Sequence, residues 1–152
     1  MSKLSETIVV GCPYHLAQQY VADVLREPAN KPGIMTLRVP IGDVGVTKDV
    51  LATVGAGTDP MHFDQPWKVH WTPIGGLYPN FEGEITVRAD EDYTTCLLEL
   101  QGDYRPPGGA IGQAFDAVVG RKIASATARA LLEEIAHRIV ARYRSVEAAK
   151  HA

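Results

Sequence analysis

Residues 80–104, NFEGEITVRADEDYTTCLLELQGDY, decide the fold. Phe81, Gly83, Ile85 and Val87 alternate with Glu82, Glu84, Thr86 and Arg88. A period of two predicts a strand over 80–89 with one apolar and one polar face. Asp90-Glu91-Asp92 reads as a turn. The chain then pairs back over 94–104, with Cys96, Leu98, Leu100 and Tyr104 opposite Thr95, Glu99, Gln101 and Asp103. Two such strands joined by a short acidic turn make an antiparallel hairpin, with Arg88 and Glu99 as an exposed cross-strand pair. Pro106-Pro107-Gly108-Gly109 stops the second strand. From Ile111 to Arg144 the period becomes helical, a helix of about 50 Å at 1.5 Å per residue. Ile111, Phe115, Val118, Val119, Ile123, Ala126, Ala130, Ile135, Ile139 and Val140 are expected to form its apolar stripe. Glu147 to Ala152 are expected to fray as a C-terminal tail.

Working back towards the N-terminus, 66–72 alternates, with Trp67, Val69 and Trp71 against Lys68, His70 and Thr72. Residues 44–54 alternate in part: Val46, Val50, Ala52 and Val54 share a face that Lys48 interrupts, read as a snorkelling strand-end lysine in preference to one pointing into a cleft. Residues 55–65 are polar and turn-rich, a connection. Ile34 to Val39 is a short strand, Tyr14 to Glu27 a helix closed by Pro28, Pro32 and Gly33, and 4–11 a first strand ending at Gly11. Strands grouped together with helices at the ends predict an α+β fold rather than a parallel βαβ sheet. The sheet must cover its apolar face, and the last helix is the only element long enough. A curved antiparallel sheet wrapped around one long C-terminal helix leaves a cleft between the two.

The chain has 152 residues, 45% of them hydrophobic and 22% charged, which suits one globular domain with its own core. Fifteen Lys and Arg against 18 Asp and Glu give a net charge of −3, without the basic footprint of a nucleic-acid binder. Two cysteines, Cys12 and Cys96, are too few for a disulfide framework or a four-thiolate zinc site and read as reduced thiols. No stretch reaches 18 apolar residues without a charge. The N-terminus meets Glu6 before any apolar h-region, against a secretory signal. The expectation is a cytoplasmic protein with no integral membrane association, a monomer or homodimer.

The run Leu98-Glu-Leu-Gln-Gly-Asp-Tyr-Arg-Pro-Pro-Gly-Gly-Ala-Ile-Gly112, with Phe81-Glu-Gly-Glu-Ile-Thr-Val87 before it, resembles the last strand and helix start of the START-like, or SRPBCC, helix-grip superfamily. That superfamily includes polyketide cyclase/dehydrase-like proteins, lipid-transfer domains, allergens related to the birch pollen protein and coenzyme-Q-binding proteins. The element order resembles it over nearly the whole chain, and sequence motifs do so between about Trp71 and Leu132, towards a bacterial branch. The resemblance implies one domain over 1–146 and a hydrophobic cavity between sheet and helix. It implies a hydrophobic or amphipathic small-molecule ligand, lipid-, polyketide- or quinone-like, and no cofactor. It makes the apolar strand and helix faces the cavity wall, so Trp67, Trp71, Phe81, Cys96, Leu98, Tyr104, Phe115 and Val119 are the candidate ligand-binding residues. A cyclase or dehydratase is the alternative; it needs an acid, a base or a polar orienter inside the cavity, for which Lys48, Tyr104, His70 and the acids around the hairpin are available without a spacing that fixes any of them there. A cleft filled by its own side chains is the third reading.

Other constellations carry less. Glu134 and His137 have the Glu-x-x-His spacing of a carboxylate metal helix, but the second copy and further carboxylate helices are missing. His62, Asp64 and His70 have no recognised metal spacing, and no metal is expected. Gly55-Ala-Gly57-Thr-Asp-Pro60 imitates a dinucleotide fingerprint without the helix that must follow it. The glycines before Gly112 are read as a sharp reversal into the helix rather than an anion site. Cys96 reads as an inert small hydrophobe.

Overall fold

The computed structural model describes residues 2–26, 34–41, 46–55, 66–73, 80–105 and 117–150. Among the described residues, six strands and two helices follow in the order β1 (Ser2–Val10), α1 (Tyr14–Arg26), β2 (Ile34–Ile41), β3 (Val46–Gly55), β4 (Trp67–Pro73), β5 (Asn80–Ala89), β6 (Cys96–Arg105) and α2 (Ala117–Lys150). All pairings are antiparallel, and the sheet order is β1-β6-β5-β4-β3-β2. This is the expected α+β architecture, one antiparallel sheet with a long C-terminal helix against it. No helix among the described residues is long and apolar enough to cross a membrane.

The hairpin forms as its alternation requires. Phe81, Ile85 and Val87 are buried on β5, and Cys96, Leu98, Leu100 and Tyr104 on β6. In the turn, the Asp92 carboxylate accepts from the Thr94 backbone N–H at 2.9 Å and from its hydroxyl at 2.7 Å, so the side chain closes the reversal. Arg88 and Glu99 form an ion pair of 3.2 Å, but diagonally, because Glu99 lies directly opposite Thr86.

The helices cover the apolar face. On α1, Ala17, Tyr20, Val21, Val24 and Leu25 are buried, and the Pro13 carbonyl accepts from the N–H of Leu16 and Ala17 where the helix starts. On α2 the buried stripe is Ile123, Ala124, Thr127, Ala128, Leu131, Leu132, Ile135 and Ile139. Ala126 and Ala130, expected at its centre, are only half-buried. Thr127 is tolerated in the core because its hydroxyl donates to the Ile123 carbonyl at 2.8 Å, one turn back. Ion pairs at the rim fix the helix laterally: Arg129 with Glu6 of β1 at 3.5 Å and Arg142 with Asp23 of α1 at 3.4 Å.

The end of α2 differs from the sequence expectation. Residues 147–150, expected to fray, continue the helix to Lys150. Val146 packs on the core and Lys150 pairs with Glu147 at 3.2 Å, so the last turn has both apolar and ionic contacts. Ile111 and Phe115 lie outside the described residues.

Gly83 and Gly102 face each other across β5 and β6. A Cβ on Gly102 would run into the Glu82 carbonyl oxygen and come within 2.5 Å of the Gly83 Cα; one on Gly83 would meet the Gln101 carbonyl oxygen. The Phe81 ring lies over both, its Cζ 2.5 and 2.6 Å from the two would-be Cβ positions. The glycine pair thus lets two strands approach and one ring lie across them, a use of glycine that strand propensity alone disfavours. Gly102→Ala is expected to cost about 3 kcal/mol in denaturant unfolding, the upper end for overpacking a core site. A loss below about 1 kcal/mol would mean that the strands part freely there.

Candidate functional site: the layer between sheet and helix

Register arranges the apolar face in rows. Ala52, Trp71, Phe81 and Tyr104 are successive partners across β3, β4, β5 and β6, and Trp67, Ile85 and Leu100 form a parallel row. Trp71 and Phe81 stack with ring centroids 4.1 Å apart and planes 13° from parallel. Their direct cross-strand pairing imposes this closeness. Trp67 and Trp71 are four residues apart, about 13 Å along the strand. The indoles therefore sit in different rows and do not flank one point.

The candidate residues fall as follows. Trp67, Trp71, Phe81, Cys96, Leu98 and Tyr104 all face the helices, each 5% exposed or less. They form a packed layer, with Trp71 and Leu98 wholly shut off from solvent. Val119 is the third residue of α2. Phe115 lies outside the described residues, as do His62 and Asp64 and the glycines between Pro106 and Gly112. The aromatic row Trp71–Phe81–Tyr104 is at the end of the sheet where β4, β5 and β6 meet the connections 74–79 and 106–116.

The two thiols belong to the opposite end. Cys96 is the register partner of Val10, and the Cys12 N–H donates back to the Val10 carbonyl at 2.8 Å, so both reach the same corner of the core. Burial pushes the Cys12 thiol up from its ordinary 9.0 to about 11. Burial, then the neighbouring Cys12 and Asp90, push Cys96 up to about 12. Both are therefore protonated and poor nucleophiles at neutral pH. Among the described residues, no group of three or more His, Cys, Asp and Glu could hold a metal.

Sequence reasoning missed a second feature. On the face opposite the core, an open groove of about 1080 Å³ runs across the sheet, with Gly83 and Gly102 in its floor. Thr53, His70, Glu82, Asp103 and Lys3 form one cross-strand row beside it, and Lys68, Glu84, Gln101 and Ser5 the other. Arg121 joins them from α2. Alternation assigned the residues on β4, β5 and β6 to the polar face, but bringing five strands side by side needed the sheet order. Acids on β5 and β6 lie between cations on β4 and β1, so the face compensates its own charge, as solvated sheet faces do.

Among solved structures, the chain is similar to the Zhui aromatase/cyclase from Streptomyces sp. R1128, with 16% identity, 97% of each chain covered and a TM-score of 0.55. It is similar to a START superfamily protein from Mycobacterium smegmatis, with 14% identity, 90% of this chain and 96% of that one covered, and a TM-score of 0.53. A protein from Thermus thermophilus matches with 12% identity, 93% and 99% coverage and a TM-score of 0.51. No protein-family model and no curated protein sequence matches the chain. At these identities the likeness shows the fold: the chain has the START-like helix-grip fold.

The raised thiols set a pH dependence. The folded protein keeps Cys12 and Cys96 protonated where the unfolded chain would ionise them. That contribution is complete below pH 9.0 and is lost as pH rises towards 11 and 12. Unfolding free energy above pH 9.0 should therefore fall more steeply in the parent than in a Cys12→Ala, Cys96→Ala double variant. Parallel slopes would show that the thiols ionise equally well in both states.

Proposed function

We propose that the protein is a one-domain binding module for a hydrophobic or amphipathic small molecule, taken up between the sheet and α2. The observation that carries this reading is the Trp71–Phe81–Tyr104 row. Two stacked rings and a phenol lie side by side on the apolar face, at the end nearest the β4–β5 and β6–α2 connections. Stacked rings offer a flat apolar surface, and the phenol offers one polar tip that can orient a bound molecule. The fold shared with START-like and aromatase/cyclase structures supports the same location. A lipid-, polyketide- or quinone-like molecule fits this chemistry.

A cyclase-type reaction on such a ligand draws less support. It requires a group that gives or takes a proton inside the apolar layer. Among the described residues, the polar groups buried in this core are the phenols of Tyr104 and Tyr20, Thr127, the indole N–H groups of Trp67 and Trp71 and the two thiols, with Glu6 at the rim. Thr127 is committed to the Ile123 carbonyl, the thiols stay protonated, and Glu6 is paired with Arg129. Orientation by Tyr104 suits binding without needing such a group.

The described side chains of the layer are buried, so a ligand that stacks on them displaces some of them. Binding should therefore change indole emission saturably when the protein is titrated with 1-anilinonaphthalene-8-sulfonate or a medium-chain fatty acid. Tyr104→Phe should weaken it several-fold while shifting stability by less than about 1.5 kcal/mol, the scale of one lost hydrogen bond. No saturable change across a panel of apolar ligands would overturn the reading in favour of a cleft filled by its own side chains.

A further inference from the structure

β1 is an edge strand: among the described strands it has a neighbour only in β6. Edge strands carry unpaired N–H and C=O groups, and charges or prolines usually guard them. Here Lys3 and Glu6 lie in the first half, while Thr7, Ile8, Val9 and Val10 carry no charge. Val9 is 63% exposed, one of two large hydrophobic side chains so exposed among the described residues. Beside this uncharged half, a groove of about 520 Å³ separates Ile8–Gly11 from α2. Its helix wall carries Glu133, His137, Val140 and Arg144, at successive offsets of four, three and four residues. That spacing puts all four on one stripe. A Cβ at Gly11 would meet nothing within 4 Å, so the end of the strand is open as well.

We propose that this surface holds a second copy of the chain in a two-fold dimer, with β1 antiparallel to the partner's β1 and α2 antiparallel to the partner's α2. The charge pattern singles out a copy as the occupant. α2 runs in the same direction as β1, since Arg129 pairs with Glu6 and residues 133–144 flank Ile8–Gly11. The three strand steps span about 10 Å and the eleven helix steps about 17 Å, so the helix wall is the longer of the two. A two-fold axis through the middle of the groove falls between Val9 and Val10 on the strand. On the helix it falls between Arg138 and Ile139. Glu133 and Arg144 are then equidistant from the axis, on opposite sides. Each Glu133 faces the partner's Arg144, and the contact forms twice. The axis brings Val9 against the partner's Val10 and extends the sheet across the dimer, joining the bare edge to its own copy. The ion pairs that tie α2 to its own chain, Arg129–Glu6 and Arg142–Asp23, and the pair within it, Arg138–Glu134, use neither Glu133 nor Arg144. A closed two-fold contact of this kind uses up both edges and does not propagate.

Sedimentation equilibrium of the full chain tests this, with circular dichroism to confirm that each variant is folded. The parent should dimerise in the micromolar range. Glu133→Arg and Arg144→Glu should each weaken the dimer about tenfold or more, because each places like charges together at two symmetric points. The double variant should recover most of the loss, since the reversed charges again face each other. Val9→Lys, at an exposed position, should give a folded monomer. A parent that stays monomeric at several hundred micromolar overturns the proposal. So does a dimer indifferent to all three single changes, or a double variant no better than its components.

Discussion

The structure depends on a single covering contact. A sheet whose strands alternate apolar and polar residues must hide one face, and here α1 and α2 do so together. Everything else is placed by that contact. Leu131, Leu132, Ile135 and Ile139 are buried because α2 lies against the sheet, and Arg129 reaches Glu6 because α2 runs alongside β1. The glycine pair serves the same contact from below. With no Cβ at Gly83 or Gly102, Phe81 lies across the strands and stacks on Trp71.

The two faces of the sheet have different chemistry for the same reason. The covered face is dry, so its polar groups must be satisfied or neutral: Thr127 bonds back to its own helix, and both thiols keep their protons. The uncovered face is wet, and its charges can stand in rows of both signs. The site proposed for an apolar ligand lies on the dry face, where the aromatic row approaches the connecting segments. The proposed dimer surface lies at the edge of the sheet, beside the flank of α2.

Much of this was legible in the sequence. The hairpin 80–104, the inward positions Trp67, Trp71, Phe81, Leu98 and Tyr104, and the helix after the glycines all follow from local period, which each strand or helix expresses by itself. The phase of α2 was not legible. Alanines occupy 124, 126, 128 and 130, every second residue, and so mark no helical face. Tertiary packing chose Ala124 and Ala128 over Ala126 and Ala130. The helix end was also misplaced, because Val146 gains its apolar contact only from the assembled core.

The sequence by itself determined which strand residues of the hairpin and of β4 face inward, where the chain turns and the fold class. These depend on neighbours within a few positions. Only the tertiary structure decided what those residues meet. Register put Tyr104 beside Phe81 and Phe81 beside Trp71, set Gly83 against Gly102, and gathered polar residues from five strands along one groove. It also left β1 at the edge, with Glu133 and Arg144 flanking its uncharged half. The physical reason is that a strand's alternation is an intrastrand property, while its neighbours are fixed by hydrogen-bonded pairing between segments far apart in the chain.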